Sequence, residues 1–398
     1  MNFVYISPNF PDAAWKFVQA LKANGINVLG VGDQPYDELR PELKESLVEY
    51  YKVTSLENYD EVMRAVAYFI WKHGKIDWVE SNNEYWLELD ARLRTDFNIP
   101  NGIRIDAVRA VKEKSEMKKY YAAGGIRTAR QIKSSEGLDA VRKFADEAGF
   151  PLFAKPDVGV GAVDTFKIVD ENDLVAFFAE AKHSDHYVIE EYVTGNICDY
   201  DAIIDSKGNP IFESWSVCPP SIADIVEKNL ESEYHVMKDM NENLRFWGRQ
   251  TVKAFGVKSR FVHLEFFRLE RPHKGLGNAG DFVALEVNMR PGGGFTPDMI
   301  NYAHSTDVYK IWADMVAFDH STVPDGNSNY YCVFAGRRDG IEYKIDHHGM
   351  LEKYSGALRQ TDRMPEALSG AMGNQTYIAT FPSEDEMNDF IADIYDRK

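Results

Sequence analysis

Cysteine is scarce: Cys198, Cys218 and Cys332 are the only three in 398 residues. No two form a CxxC pair, so neither a disulfide framework nor a zinc cluster is expected, and a reducing compartment suits the chain. Positive charge is also short. A formal net charge of −18 argues against nucleic acid as a partner, because phosphate contacts need clustered Lys and Arg. A single nucleotide needs only a few local cations. No stretch approaches the ~18 apolar residues of a spanning helix, so no membrane partner is expected. The N-terminal MNFVYISPNFPDAAW has no basic start leading into a long apolar run. No signal peptide is therefore expected, and the location expected is cytoplasmic. A glycine fingerprint is missing too: no GxGxxG follows the first strand, which disfavours a dinucleotide site. The one GxGxxG, GLGNAG at 275–280, precedes a strand rather than a helix and reads as a hairpin turn.

What is there reads as a globular chain. Hydrophobic residues make up 44% and charged residues 27%, which excludes a disordered class, and the length predicts two or three domains. NFVYIS (2–7) reads as a strand, 12–24 as a helix stopped at Gly25, and INVLGV (26–31) as a second strand. This start predicts a parallel, doubly wound sheet. Helices are predicted over 57–73 and 84–97 with a strand at 76–80 between them. Asn98-Ile99-Pro100-Asn101-Gly102 then breaks the chain. The middle reads as α+β: helices over 106–123 and 136–148, strands at 152–155, 187–193, 198–205, 210–217, 260–269 and 281–290, and a long helical stretch over about 231–255. The tail reads as β-rich, with strands in YYCVFAG, GIEYKID and TYIATF and a closing helix at 383–397. The expected fold class is mixed α/β and α+β in three parts: a Rossmann-like domain (1–104), a core (105–325) and a small β-rich subdomain (326–398).

Three stretches carry chemistry. In LEVNMRPGGG (285–294), Glu286, Asn288 and Arg290 alternate with apolar residues and share one strand face. RFVHLEFFRL (260–269) puts His263 and Glu265 on one face. If the two strands pair, two carboxylates and an amide converge, and an oxygen-only set of that kind suits Mg²⁺. Arg290 is better placed to hold an anion. A solvated, salt-bridged strand face is the alternative. In PLFAKPDVGVGAV (151–163), Lys155 ends an apolar strand before Gly159 and Gly161, and glycines let backbone N–H groups approach phosphates; a surface lysine beside a turn is the plainer account. VIEEYVTG (188–195) is an apolar strand with adjacent acids, Glu190 and Glu191.

Read in order, Lys114 in KEKSEMKKYYAAGGI, Lys155 and its glycine loop, EEYVTG, HLEFF and LEVNMRPGGG resemble the ATP-grasp superfamily of carboxylate–amine ligases. The resemblance covers about residues 105–310, plus the Rossmann-like domain such proteins usually carry. It implies that Lys114 and Lys155 contact ATP phosphates and that Gly159 and Gly161 belong to a loop closing over them. It implies that Glu190, Glu191, Tyr192 and Val193 meet adenine, largely through backbone. Glu265, Glu286 and Asn288 would hold Mg²⁺, with Mn²⁺ as the alternative ion, and Arg290 would stabilise an acyl phosphate. The implied reaction joins a small carboxylic acid, an amino acid or peptide-like acid, to an amine. A homodimer is compatible with it. Rival readings are an ATP-grasp enzyme acting on bicarbonate or a hydroxyl group, and an ATP-binding protein without turnover.

Two features depart from the pattern. Gly195 is followed by Asn196-Ile197 where relatives place a ribose-binding glutamate, leaving Asp199 or Asp201 as substitutes, and Asp157 puts an acid near the phosphate loop. Other residues read as structural: Lys118-Lys119 as a solvated helix face, Arg337-Arg338 as exposed, His347-His348 as a turn. Asn82-Asn83-Glu84 follows a strand end, where open α/β sheets bind ligands; helix capping is the duller account.

Overall fold

The computed structural model of the protein describes residues 1–398 except 160–163, 181–184, 220–224, 226–229, 325 and 327. The first sheet joins β1 (Asn2–Ile6), β2 (Asn27–Gly32), β3 (Glu49–Lys52) and β4 (Trp78–Glu80) in the order β3-β2-β1-β4. All its pairings are parallel, as the alternation of apolar strands with helical segments predicts. Both faces are covered, which is why Phe3, Val4, Tyr5 and Ile6 are all fully buried. The helix Tyr59–His73 starts where Asn58 accepts from Glu61 N–H and ends at Gly74, whose φ of 85° only glycine adopts without strain.

The second sheet is small: β5 (Gln131–Lys133), β6 (Leu152–Pro156), β7 (Phe166–Ile168) and β8 (Tyr187–Glu191), in the order β5-β8-β6-β7. It has its own core of Val141, Leu152, Ala154, Leu174 and Ile189 beneath the helices Leu138–Ala148 and Glu171–Ala179. A sheet with a separate core can move as a unit.

The third sheet is the largest. It contains β9 (Gly195–Ile204), β10 (Pro210–Cys218), β11 (Ser232–Val236), β12 (Arg260–Leu269), β13 (Phe282–Asn288), β14 (Tyr331–Arg337), β15 (Leu358–Arg363) and β16 (Gln375–Phe381), ordered β13-β12-β9-β10-β11-β14-β16-β15. The strands of 326–398 extend the middle block's sheet through the pairing of β11 with β14. One apolar cluster joins the first sheet to this one, with Phe3, Phe17, Ile203, Phe261, Trp312 and Phe334 all buried in it. Truncating Trp312, 1% exposed, would cost about 3–5 kcal/mol.

Local differences from the sequence reading have physical causes. The stretch 231–255 is not one helix: Ser232–Val236 is strand β11, and the helix spans Glu242–Ala254 with Asn241 capping it. SEYHV alternates, and pairing with β14 decides it. GIEYKID forms no strand; Tyr343 makes only an isolated bridge to Arg397. The helix expected over 106–123 is two, Arg109–Lys112 and Lys114–Ala123, because Glu113 is extended. Arg337 and Arg338 are buried rather than exposed. Arg337 donates to the carbonyls of Ile394 (2.6 Å) and Ile345 (2.9 Å), and Arg338 to those of Leu230 (2.7 Å) and Gly370 (2.8 Å). His347 opens a short helix capped by Asp346, and its Nδ1 lies 2.7 Å from the Tyr377 hydroxyl.

Candidate active site

β12 and β13 pair antiparallel around the GLGNAG turn, with Glu265 opposite Glu286 and His263 opposite Asn288. Glu265 and Glu286, as direct partners, share one face, and a bulge between Glu265 and Phe266 leaves Leu285 unpaired beside them. The Asn288 amide donates to Glu265 Oε1 at 3.0 Å. Arg290, past the strand end, donates to Pro291 O (2.8 Å) and lies 3.4 Å from Asn288 Oδ1. The three glycines then make a close turn rather than a loose one. A Cβ at Gly292 would stand 2.7 Å from Thr296 Cγ2, and Gly294 has φ +59°.

The two carboxylates feel each other. Burial pushes the Glu265 carboxyl up to about 7, Glu286 adds to the rise, and His263 opposes it. Two facing acids with an amide form an oxygen donor set that a divalent cation would relieve. Among the described residues, no three or more His, Cys, Asp or Glu side chains form a complete metal cage. A cation at this two-carboxylate set would need the rest of its shell from outside the chain, as Mg²⁺ takes from phosphates and water.

Lysines reach this face from other elements. Lys114 opens the helix Lys114–Ala123, and its Nζ lies 3.0 Å from Glu286 Oε1 and 3.1 Å from Gly159 O. Asp157, the acid that sat awkwardly in the phosphate loop, faces away. It accepts from Ser115 N–H (2.8 Å) and Ser115 Oγ (2.6 Å), fixing the start of that helix. Gly159 is exposed beside Lys114; Gly161 lies outside the described residues.

Lys155, the last residue but one of β6, has its Nζ 2.8 Å from Glu190 Oε2, and Lys118 stands 2.8 Å from Glu190 Oε1. Burial alone would raise the Glu190 pKa, but the two ammonium groups outweigh it and hold it at about 2. Lys118 is therefore not part of a solvated face: its side chain is 13% exposed, whereas Lys119 is 70% exposed and pairs with Glu116. The i,i+4 spacing from Lys114 was the available signal, since it puts both lysines on one helix face. Glu191 is also buried; the Arg130 backbone N–H (2.7 Å) and guanidinium (2.8 and 2.9 Å) hold it.

Tyr192 and Val193 follow β8. Val193 packs with Leu269, Leu276 and Val283 under the hairpin, and Lys167 Nζ sits 4.4 Å from the Tyr192 ring centre. A cavity of about 450 Å³ opens beside this hinge, lined by Lys167, Tyr192, Thr194, Arg271 and His273 among others. Neither Lys155 nor the facing acids line it, so it is not the centre of the chemistry.

The acids of β9, named from the sequence only as substitutes for a ribose-binding glutamate, have partners of their own. Asp199 and Asp201 alternate with buried Cys198 and Tyr200, so both carboxylates face His263. His263 Nδ1 lies 3.0 Å from Asp201 Oδ1, and Ser216 Oγ donates to Asp199 Oδ2 at 2.9 Å. Burial would lower the His263 pKa, but Asp201 and Asp199 outweigh it and raise it to about 9. Both aspartates are thus engaged around the imidazole, away from the ribose role considered for them.

The class of fold follows from this architecture: the chain has the ATP-grasp fold that the resemblance in its sequence leads one to expect. No family model matches the chain. Among curated relatives, a D-alanine–D-alanine ligase of Geobacillus thermodenitrificans is 28% identical over 210 residues, 50% of this chain. The match spans only 56% of that ligase's length. Among solved structures, an L-amino acid ligase from Bacillus licheniformis superposes with a TM-score of 0.70 at 14% identity, covering 98% of this chain and 95% of that one. The biotin carboxylase domain of a 2-oxoglutarate carboxylase from Hydrogenobacter thermophilus, in complex with MgADP and bicarbonate, superposes with a TM-score of 0.71 at 16% identity, covering 98% and 89%. These likenesses establish the fold. Among the described residues, no helix is long and apolar enough to cross a membrane.

Proposed function

We propose that this chain is an ATP- and Mg²⁺-dependent, ADP-forming ligase that joins a small carboxylic acid to an amine in the cytoplasm. We also propose the division into domains at 1–104, 105–325 and 326–398. One observation carries the reading: the β12–β13 register sets Glu265 opposite Glu286 with Asn288 beside them, and Lys114 reaches Glu286 from a different element. A plain solvated face would not bury Lys114, Lys155 and Asn288 together.

In this reading Glu265, Glu286 and Asn288 would hold Mg²⁺, which would supply charge neutralisation at the phosphates. Lys114 and Lys155 lie along the triphosphate, and Tyr192 and Val193 offer backbone groups to adenine. The substrate carboxylate attacks the γ-phosphoryl group, and ADP leaves. Arg290 holds the anionic end of the acyl phosphate. The amine then attacks the acyl carbon, phosphate leaves with the C–O electron pair, and the amine proton passes to solvent or a nearby base. Positioning and charge neutralisation supply most of the acceleration. Glu190, clamped by two lysines, fixes Lys155 in place.

The test is ADP release from Mg-ATP across pools of amino acids, other small acids, amines and bicarbonate, with mass detection of products. Acid- and amine-dependent ADP with an amide product supports the reading. Bicarbonate-dependent turnover would replace it with a carboxylating reaction, and Mg-ATP binding without turnover would replace it with a binding protein.

A further inference from the structure

Arg260 opens β12 and is 2% exposed, and its guanidinium reaches two other elements at once. Its Nη2 donates to Glu80 Oε2 at 2.9 Å, and Glu80 closes β4 of the first sheet. Its Nε donates to the carbonyl of Met289 at 3.0 Å. Met289 lies one residue past the last pairing of β13, that of Asn288 with His263, and immediately before Arg290. The bond therefore holds the chain where it leaves the sheet and enters the turn that carries Arg290.

The anchor is stiff. Glu80 is buried, and its Oε2 takes Arg94 at 3.0 Å as well as Arg260. Burial alone would raise the Glu80 pKa, but Arg260 and Arg94 outweigh it and hold it below its ordinary value. Arg94, on the helix Leu87–Asp96, is fully buried and also donates to the carbonyls of Val79 (2.7 Å) and Ile103 (3.0 Å). At the other end, the half-buried Arg290 donates to Pro291 O and approaches Asn288 Oδ1. A guanidinium has five N–H donors, so the others can meet an anion.

Stability alone is a poor account of this cluster. Replacing a buried ion cluster with apolar side chains of similar volume is often neutral or stabilising. Arg260 also leaves its Nη1 sealed from solvent with no hydrogen-bond partner among the described residues, which costs free energy. What the arrangement supplies is direction. A planar fork donates along fixed lines, here one into the first sheet and one onto the Met289 carbonyl. We propose that Arg260 is a positioning residue for the ligase reaction: through the Met289 carbonyl, and braced by Glu80, it sets where the Arg290 guanidinium meets the acyl phosphate. The inference rests on the ligase reading and on the part Arg290 has in it.

The experiment measures acid-dependent ADP formation from Mg-ATP in the full chain, in Arg260→Lys, in Arg290→Lys and in the double variant. Melting temperature is followed alongside, as is binding of a non-hydrolysable ATP analogue by calorimetry. A lysine keeps the charge beside Glu80 but cannot donate along both lines of the fork. In Arg260→Lys, kcat should fall about ten- to a hundredfold, while the KM for Mg-ATP and the analogue affinity stay within about twofold. In the Arg290→Lys background, Arg260→Lys should lower kcat less than about twofold further, because its effect passes through a residue already changed. Equal losses in both backgrounds would overturn the inference and leave the ligase reading standing. So would an unchanged kcat, or a loss of analogue binding in step with kcat, which would make Arg260 a structural brace only. If Arg260→Lys does not fold, Glu80→Gln goes through the same cycle, with the same non-additivity expected and the same additivity overturning the inference. No acid-dependent ADP in the parent chain, with nucleotide bound, would overturn both readings.

Discussion

Lys114 Nζ lies 3.0 Å from Glu286 Oε1, so the buried lysine that opens a helix meets a half-buried carboxylate on an edge strand of the largest sheet. Neither residue predicts the other by sequence distance. The contact ties the element that would approach the phosphates to the element that would hold the metal.

Glu286→Gln keeps the shape of the side chain and removes its charge. ATP turnover dependent on Mg²⁺ should fall about a hundredfold or more, while circular dichroism and melting temperature stay near the parent values. Normal turnover in this variant would remove Glu286 from the metal site.

Glu190 depends on two lysines. Lys118→Met leaves a buried carboxylate with Lys155 alone, at 2.8 Å, and should cost about 3 kcal/mol of stability. Combining it with Glu190→Gln should recover about 1 kcal/mol or more relative to additivity. Strict additivity by chemical denaturation would show that the pair is not coupled. Because Glu190 is held at about 2, below its ordinary 4.5, its contribution is full above about pH 4.5 and is lost as pH falls toward 2.

His263 behaves in the opposite sense. Its pKa is raised from 6.5 to about 9, so the stability it gains from Asp201 and Asp199 is full below about pH 6.5 and is lost as pH rises through about 9. His263→Gln should therefore lower the melting temperature clearly at pH 6.5 and much less at pH 9.5. A difference that does not change with pH would mean that the imidazole is neutral throughout.

Gly195 is where the hinge meets β12. A Cβ there would stand 2.5 Å from the Arg268 carbonyl oxygen, a backbone atom that cannot swing aside. Gly195→Ala should cost about 1–3 kcal/mol and weaken ATP binding by displacing Tyr192 and Val193. Unchanged nucleotide affinity, measured by calorimetry, would separate the hinge geometry from nucleotide binding.

Much of the fold was legible because it is written in local patterns. The parallel first sheet followed from apolar strands alternating with helices. The β12–β13 face followed from period-two alternation, which put Glu286 and Asn288 on one side before any partner was known. SEYHV was misread as helix because five residues with alternating polarity sit beside a real helix, and only pairing with β10 and β14 tells them apart. Arg337 and Arg338 looked exposed because a charged pair usually is. Their burial depends on the carbonyls of Ile394 and Leu230, which local sequence does not bring near. Lys118 lay between the two cases: its helix face was readable, but the carboxylate it meets was not.

The sequence by itself determined which residues have the chemistry and which face of its own element each occupies, because side-chain direction follows from helix and strand periodicity. The tertiary structure alone decided which faces meet. It set Lys114 against Glu286, placed Lys118 beside Lys155 on one carboxylate, and turned Asp157 toward Ser115. It also tied Glu80, the last residue of β4, to the Met289 carbonyl through Arg260. Those contacts join segments far apart in the chain, and they form only when the sheets bury their common apolar faces, a global event that no local pattern encodes.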